Sequence, residues 1–426
     1  MGMRNRICRA GLSAISLAMT AGAGAGQSPD EGQLARFQEK IREDMAGIPN
    51  YTCLETIERA HREPHSRKFK PVDTVRLEVS SVAGKELFAW PGARRFDDRD
   101  ARSLVPGGVI GSGMFASFAR RLFLTDKGTP QYGSDEKLDG RAAVRYDFEL
   151  TKQESALNIT VGAVSETVAA KGSFWFDPAS LDLIRLEVHG QAMPYSLRLE
   201  EAVFRTFYAR MRIGETDALL PQRSELTMTH FSGEANRNAI EFSQCHEYRS
   251  ESTISFDAPP AAVPEAPKPA VREVDLPAGL LISAELETAI DSKSASVGDT
   301  LHARAIEEVR YKGALVAPRG AAITGHIRKL ERGSSATPFA VGIEFSEMEW
   351  EGAHATFDAQ LVELDRKIGA HRAVTYFDGH AEKALIESGV RGVGVFYIAG
   401  AAFRIPPGFH MVWRTLGRPG SAAQPR

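Results

Sequence analysis

The stretch GSFWFDPASLDLIRLEV, residues 172–188, guides the interpretation of the first half of the chain. Two runs of strand-forming residues flank a turn-forming Asp-Pro pair. In the second run, Ile184, Leu186 and Val188 alternate with charged residues. This period of two is typical of a strand with one buried and one solvated face, so the stretch predicts two antiparallel strands joined by a turn.

The same alternation recurs through much of the chain, at residues 75–79, 144–150 and 240–242. Before these strands, Ser28-Pro29-Asp30-Glu31 has the pattern of a helix start, and Gly47 marks the end of that helix. Apolar residues between them recur at spacings of three and four: Leu34, Phe37, Ile41 and Met45. The sequence therefore predicts a large antiparallel sheet preceded by an amphipathic helix.

The first 26 residues have the pattern of a signal peptide, with three arginines, a short apolar run and small residues up to Ala25. The alternative, a buried amphipathic start, suits this glycine-rich segment less well. We expect an exported protein that is periplasmic or associated with the outer membrane. Cleavage would leave 49 basic and 55 acidic residues, a net charge near −6.

Length and composition exclude several classes of protein. The 426 residues suggest about two domains, and 43% hydrophobic content is enough for packed cores. No apolar run long enough to span a bilayer follows residue 25, which excludes a polytopic membrane protein. The formal net charge of −3 gives no basic footprint, so we expect no nucleic-acid partner. Peripheral membrane association is compatible with this composition.

Cys53 and Cys245 lie near the two ends of the first predicted domain. In an oxidising compartment such a pair is most simply a structural disulfide, and closing so long a loop would stabilise by about 5 kcal/mol in the chain-entropy model. The alternative is two separate buried thiols.

We predict five segments: a signal peptide (1–26), an antiparallel half-barrel-like domain (27–257), a Pro/Ala-rich linker (258–275), a small β-barrel or sandwich domain (276–416) and a flexible tail (417–426). Three Pro-x-Gly turns, each followed by an apolar run, support the second domain; their glycines are Gly279, Gly320 and Gly408. Residues 366–392 are predicted as a long loop with a possible helix at 380–388.

Two motif-level resemblances bear on the fold. Residues 172–186 resemble the strand-turn-strand of outer-membrane lipoprotein-carrier proteins. This implies an incomplete β-barrel, with helices across an apolar concave face that holds acyl chains. The segments around Cys53 and Cys245 depart from that family and resemble uncharacterised exported bacterial proteins. Residues 276–325 resemble the β-barrel domain of TrbI-type components of conjugative secretion machinery, from which we carry over the fold and not the secretion role.

No catalytic, cofactor-binding or metal-binding motif occurs in the sequence, so we assign no such residues and expect no enzyme and no cofactor. Ser112 is interpreted as a helix N-cap. His189, His230 and His246 are predicted at the surface or at sheet edges. Glu347 and Glu349 fall on the solvated phase of a strand, and we do not interpret them as a metal site.

A second amphipathic helix is predicted at 113–124, beside a glycine-rich segment that could act as a hinge. We take six of its residues as a candidate lid over a ligand: Met114, Phe115, Phe118, Leu122, Arg120 and Arg121. Arginine pairs suit anionic headgroups. The alternative is that the apolar stripe is ordinary core.

Three functions remain open at this point. The first is a non-enzymatic envelope protein that binds a hydrophobic or lipid-like ligand in its N-terminal domain and docks on envelope protein partners. The second is a structural subunit of an envelope or secretion assembly. The third is a hydrolase whose site is assembled only in space.

Overall fold

The computed structural model describes residues 31–248 and 272–417, except for 83, 94–95, 97–100, 106–108, 112–116, 126, 333–337, 366–367, 373, 378–381 and 386–389. The predicted signal peptide, most of the predicted linker and all but the first residue of the predicted tail lie outside the described residues. So do Met114, Phe115 and Ser112.

The fold is mainly β with a few helices, as predicted. The helices are α1 (Glu31–Gly47), α2 (Ala101–Leu104), α3 (Ser117–Leu124) and α4 (Lys152–Ser155). The strands of the first sheet are β1 (Tyr51–Arg62), β2 (Lys70–Val82), β3 (Lys85–Ala89), β4 (Gln131–Leu138), β5 (Arg141–Leu150), β6 (Leu157–Val161), β7 (Val164–Phe176), β8 (Leu183–Gln191), β9 (Leu199–Ile213), β10 (Thr216–His230) and β11 (Ala235–Glu247).

The first sheet has the order β3-β2-β1-β11-β10-β9-β8-β7-β5-β4, with β6 paired to β7. Every pairing is antiparallel. Two pairings do not join chain neighbours: β5 pairs with β7 and skips β6, and the β1–β11 pairing brings the two ends of this unit together. The disulfide predicted between Cys53 and Cys245 is confirmed, and it joins these same two strands.

Helix α1 lies across this sheet as its apolar spacing predicts. Phe37, Ile41 and Met45 are buried. The ring of Phe37 stacks on those of Phe174 and Phe176 on β7, with centroid distances of 5.3 and 4.3 Å. The sheet face that carries these aromatic residues is therefore the one covered by the helix.

The second sheet is built after residue 271. Its strands and the short ribbons beside it are β12 (Arg272–Glu273), β13 (Leu281–Leu286), β14 (Ile290–Asp291), β15 (Thr300–Ala305), β16 (Val309–Tyr311), β17 (Ala314–Ala317), β18 (Ala322–Glu331), β19 (Phe339–Trp350), β20 (Ala353–Thr356), β21 (Asp358–Leu364), β22 (Ala370–His371), β23 (Val374–Phe377), β24 (Glu382–Leu385), β25 (Val393–Ile398), β26 (Arg404–Ile405) and β27 (His410–Leu416).

The main path of the second sheet is β12-β20-β19-β18-β15-β13-β27-β21, and β25 pairs with β19 and β22. All three predicted Pro-x-Gly turns carry glycines with positive φ, between 87° and 91°. The possible helix at 380–388 is wrong for residues 382–385, which form β24 paired with β23. The run Val-Thr-Tyr-Phe of β23 has strong strand propensity and provides the partner. Residues 272–273, assigned to the linker from sequence, form β12.

The two sheets are in direct contact along β2. Strand β3 pairs with β2 only from Glu78 onward, which leaves the start of β2 without that neighbour. There Arg76 donates its backbone N–H to the Val297 carbonyl at 2.7 Å, and Val297 donates to the Thr74 carbonyl at 2.8 Å. Gly298 is required at this point, because a Cβ would lie 2.1 Å from the Arg76 carbonyl oxygen. The second sheet thus covers an edge of the first.

Candidate functional site

The helix-covered face of the first sheet contains a cavity of about 920 Å³. Its floor is formed by side chains that share one face of neighbouring strands: Phe204 on β9 is the register partner of Leu226 on β10, with Met228 two residues further along β10. Helices α2 and α3 contribute walls through Ala101 and Phe118. We refer to this space as the sheet cavity.

A second cavity of about 650 Å³ continues from the sheet cavity. The two share four lining residues, Arg102, Ile110, Thr160 and Ser165. Both volumes lie within the range of about 300–1,000 Å³ that small-molecule sites occupy. The two cavities on the helix-covered face therefore adjoin each other at these shared residues and together form one extended space.

The loop before α3 approaches the floor of the sheet cavity closely. A Cβ at Gly111 would lie 2.6 Å from a methyl carbon of Leu226. Only a glycine fits here without displacing that leucine. Close packing against Leu226 therefore accounts for one glycine of the segment that was predicted to act as a hinge.

The described candidate lid residues have different roles. Phe118 and Arg121 line the sheet cavity, whereas Leu122, which is buried with Phe118 in the core beneath α3, does not line it. Arg120 donates to the Met45 carbonyl at the end of α1 at 2.8 Å, and Arg121 donates to the Glu154 carbonyl at 3.1 Å. Both arginines thus hold α3 to neighbouring elements. That α3 acts as a lid stays a prediction.

Three basic residues line the sheet cavity: Lys85, Arg102 and Arg121. The acidic residue among its lining, Glu86, accepts a hydrogen bond at 3.0 Å from the backbone N–H of Ser117, the first residue of α3. That bond places a negative charge at a helix N-terminus, where it is favourable. The cavity therefore combines an apolar floor with an excess of positive charge among its lining residues.

Glu55 on β1 is a buried carboxyl group on the helix-covered face. Its register partners are Phe242 and Leu77, and it is fully buried. Neither carboxyl oxygen has a hydrogen-bond partner among the described residues. Burial raises the pKa of Glu55 well above its usual value, and the nearby charge of Glu86 raises it further. Burial therefore favours the protonated, neutral form of Glu55 in the folded protein.

Two further polar atoms are buried in the same sheet. The Tyr208 hydroxyl and the Asn238 side-chain nitrogen have no hydrogen-bond partner in the described part of the chain. Burial also raises the pKa of Tyr208. Glu55 was not predicted as a functional residue, although the alternation on β1 gives a signal: Glu55 falls in the same phase as Cys53 and Ile57.

The histidines predicted at the surface or at sheet edges lie on three strands and contact separate partners. The Nε2 atom of His189 is 2.8 Å from a Glu187 oxygen, that of His230 is 3.4 Å from the side-chain nitrogen of Asn236, and the Nδ1 atom of His246 is 3.0 Å from the Gln244 carbonyl. These three histidines are not brought together.

Comparison with known proteins identifies no family. No family model matches the chain, and no curated protein matches it. Among solved structures, it is similar to a putative outer membrane lipoprotein-sorting protein domain from Vibrio parahaemolyticus, at 12% identity and a TM-score of 0.29, over 52% of this chain and 93% of that one. A LolA superfamily protein from Nitrosomonas europaea is 14% identical, with a TM-score of 0.26 over 51% and 94% of the two chains.

A DUF1329 family protein from Desulfovibrio piger is also 14% identical, with a TM-score of 0.27 over 52% of this chain and 92% of that one. At these TM-scores the likenesses support no conclusion about ligand or activity. The resemblance of the second sheet to TrbI-type components stays a prediction. Among the described residues, no helix has both the length and the apolar character needed to cross a bilayer.

Proposed function

We propose that this protein is an exported, non-enzymatic envelope protein that binds a hydrophobic or lipid-like ligand in the sheet cavity. The observation that carries the proposal is the cavity of about 920 Å³ on the helix-covered face, with Phe204, Leu226 and Met228 at its floor. Concave sites of this size that combine apolar and polar side chains are typical of small-molecule binding, and here polar or charged residues make up about half of the lining around the apolar floor.

The charges around the cavity support an amphipathic ligand with an anionic headgroup. Lys85, Arg102 and Arg121 lie among the lining residues, and a guanidinium group binds phosphate or carboxylate oxygens with two parallel hydrogen bonds. A ligand with an apolar tail on the sheet floor and an anionic group near these cations would satisfy both parts of the site.

The disulfide supports the cellular location. Disulfides persist in oxidising compartments such as the periplasm, and Cys53–Cys245 joins the two ends of the first sheet. Together with the predicted signal peptide, it favours a periplasmic or outer-membrane-associated protein. Envelope proteins are then the expected partners.

Native mass spectrometry of the periplasmically expressed protein, with extraction of co-purifying lipid, tests the proposal. We expect a bound lipid or fatty acid that is lost in Phe118→Asp, because this substitution places a charge in the cavity wall. Leu124→Asp is the matched control: it lies on the same helix, is 38% exposed and is not a lining residue. Its lipid content should equal that of the wild type.

Because Phe118 is buried and its replacement could prevent folding, a second variant fills the cavity from its rim. Ser165 is exposed and lines both cavities, so Ser165→Trp should reduce bound lipid while the protein stays folded. A wild-type protein that carries no lipid, takes up none from vesicles and forms defined oligomers would contradict the proposal and favour the structural subunit.

A further inference from the structure

The hairpin of β19 and β20 in the second sheet brings three possible metal ligands together on one face. Glu347 and Glu349 are two residues apart on β19 and therefore point to the same side of the sheet. His354 on β20 is the register partner of Glu349. One ligand atom from each of the three residues lies within 4.8 Å of the other two.

The histidine in this group is buried and lacks a partner at one nitrogen. His354 is 9% exposed, and its Nε2 atom has no hydrogen-bond partner among the described residues. A Glu347 carboxylate oxygen lies 3.6 Å from Nε2, beyond the range of a hydrogen bond. A buried polar atom without a hydrogen-bond partner is costly, so this nitrogen is available to bind a ligand.

The other ring nitrogen fixes which tautomer His354 adopts. Its Nδ1 atom lies 3.1 Å from both carboxylate oxygens of Glu273 on β12. Because an ionised carboxylate only accepts hydrogen bonds, Nδ1 carries the proton. In the neutral ring, Nε2 then directs its lone pair towards the two acidic side chains. A lone pair facing two carboxylates is repulsive unless a metal ion or a proton lies between them.

We propose that Glu347, Glu349 and His354 bind a divalent transition-metal ion of the zinc class, and that Glu273 orients the histidine. Imidazole nitrogen and carboxylate oxygen together suit such an ion better than Mg²⁺ or Ca²⁺, which prefer oxygen alone. A carboxylate that holds the far nitrogen of a metal-binding histidine is a recurrent feature of zinc sites.

The spacing of the ligand atoms is compatible with this ion. Metal–ligand bonds of about 2.0–2.2 Å place tetrahedral ligand atoms about 3.4 Å apart. In this structure the three ligand atoms lie within 4.8 Å of one another, so they must move somewhat closer to bind the ion. Glu349 is exposed and Glu347 is partly exposed, so side-chain rotation can close the difference. The three protein ligands would leave a fourth position for water.

A second group of the same composition provides an internal control. His61, Glu63 and Glu234 also lie within this distance of one another. However, the His61 side chain is 31% exposed, its Nδ1 atom is 3.4 Å from an Asn236 oxygen, and its Nε2 atom is 4.0 Å from Glu63. This group has neither a buried unpartnered nitrogen nor a carboxylate holding the far nitrogen.

Zinc titration of the full-length exported chain, freed of affinity tags and stripped with a chelator, tests the proposal by isothermal titration calorimetry. We expect one saturable Zn²⁺ site. Glu349→Gln and His354→Ala should each weaken binding at least about tenfold, because loss of even an outer-shell partner of a metal ligand typically costs about 10–100-fold in affinity. His61→Ala should leave the affinity unchanged.

Glu349→Gln keeps the test informative if His354→Ala fails to fold, because it replaces an exposed residue. Anomalous diffraction at the zinc edge from crystals grown with equimolar Zn²⁺ should place the ion within bonding distance of the His354 Nε2 atom. Absence of saturable binding to the folded wild type would overturn the proposal, as would affinity that persists in Glu349→Gln or falls in His61→Ala. In those cases, a proton on Nε2 paired with Glu347 accounts for the geometry.

Discussion

Replacing Glu55 with glutamine should make the stability of the protein less dependent on pH. Glu55 is fully buried, and burial raises its pKa well above the usual value of 4.5, with Glu86 adding to the shift. Glutamine has nearly the same shape and no proton to lose in this range. The substitution therefore removes the titration while keeping the packing against Leu77 and Phe242.

The sign of the effect follows from proton binding. In the unfolded chain the Glu55 carboxyl loses its proton near pH 4.5, whereas in the folded protein it keeps it. Between pH 4.5 and the raised pKa the folded state binds one more proton, so this group lowers the free energy of unfolding by about 1.4 kcal/mol for each pH unit. Its contribution is fully present below pH 4.5 and is lost as the pH rises.

Urea unfolding followed by tryptophan fluorescence, at one-unit steps upward from pH 4.5, measures this slope. The stability of Glu55→Gln minus that of the wild type should increase by about 1.4 kcal/mol per unit until the raised pKa is reached. Glu58→Gln, an exposed residue on the same strand, is the control and should follow the wild type. A difference that stays constant across the range would show that Glu55 is already ionised in the folded protein and would refute the reasoning.

Three further changes test helix packing, the contact between the sheets and the disulfide. Phe37→Ala should lower the free energy of unfolding by about 3–5 kcal/mol in urea, because the ring is fully buried; a loss under about 1 kcal/mol would contradict the described packing. Gly298→Ala should increase limited proteolysis between the two sheets, since the new Cβ would lie 2.1 Å from a backbone oxygen of β2. Gly279→Ala, with similar φ but open space around it, should not. Replacing Cys53 and Cys245 with serine should destabilise the protein by about 2–5 kcal/mol, and reduction should lower the stability of the wild type but not of this variant.

The periodic elements were predictable because their signals are local. The residues of β5 that alternate as apolar in the sequence, Val144, Tyr146, Phe148 and Leu150, are all buried. On β8 the prediction is wrong at one position. Ile184, predicted on the buried face, is only partly buried, and Leu183 is buried instead. A register shift between Trp175 and Phe176 on β7 pairs Phe176 with Leu183. Nothing in the alternation itself signals this bulge.

The functional features were less predictable because they depend on contacts between distant segments. His354 falls in the unremarkable run Ala-His-Ala-Thr, and its relation to Glu273 arises only when β12 pairs with β20. The cavity likewise requires α2 and α3 to lie over β9 and β10 with a gap between them. Sequence spacing identified Phe118 and Arg121 as candidates, but it could not distinguish these lining residues from Leu122, which packs in the same core as Phe118 and does not line the cavity.

The second sheet also holds one wall of the sheet cavity in place. From β18, Arg328 places its guanidinium group 4.8 Å from the ring centroid of Trp90 and donates to the Leu104 carbonyl at 2.9 Å. Leu104 ends α2, whose Ala101 and Arg102 line the cavity. A ligand that displaces α2 must therefore weaken a contact between the sheets.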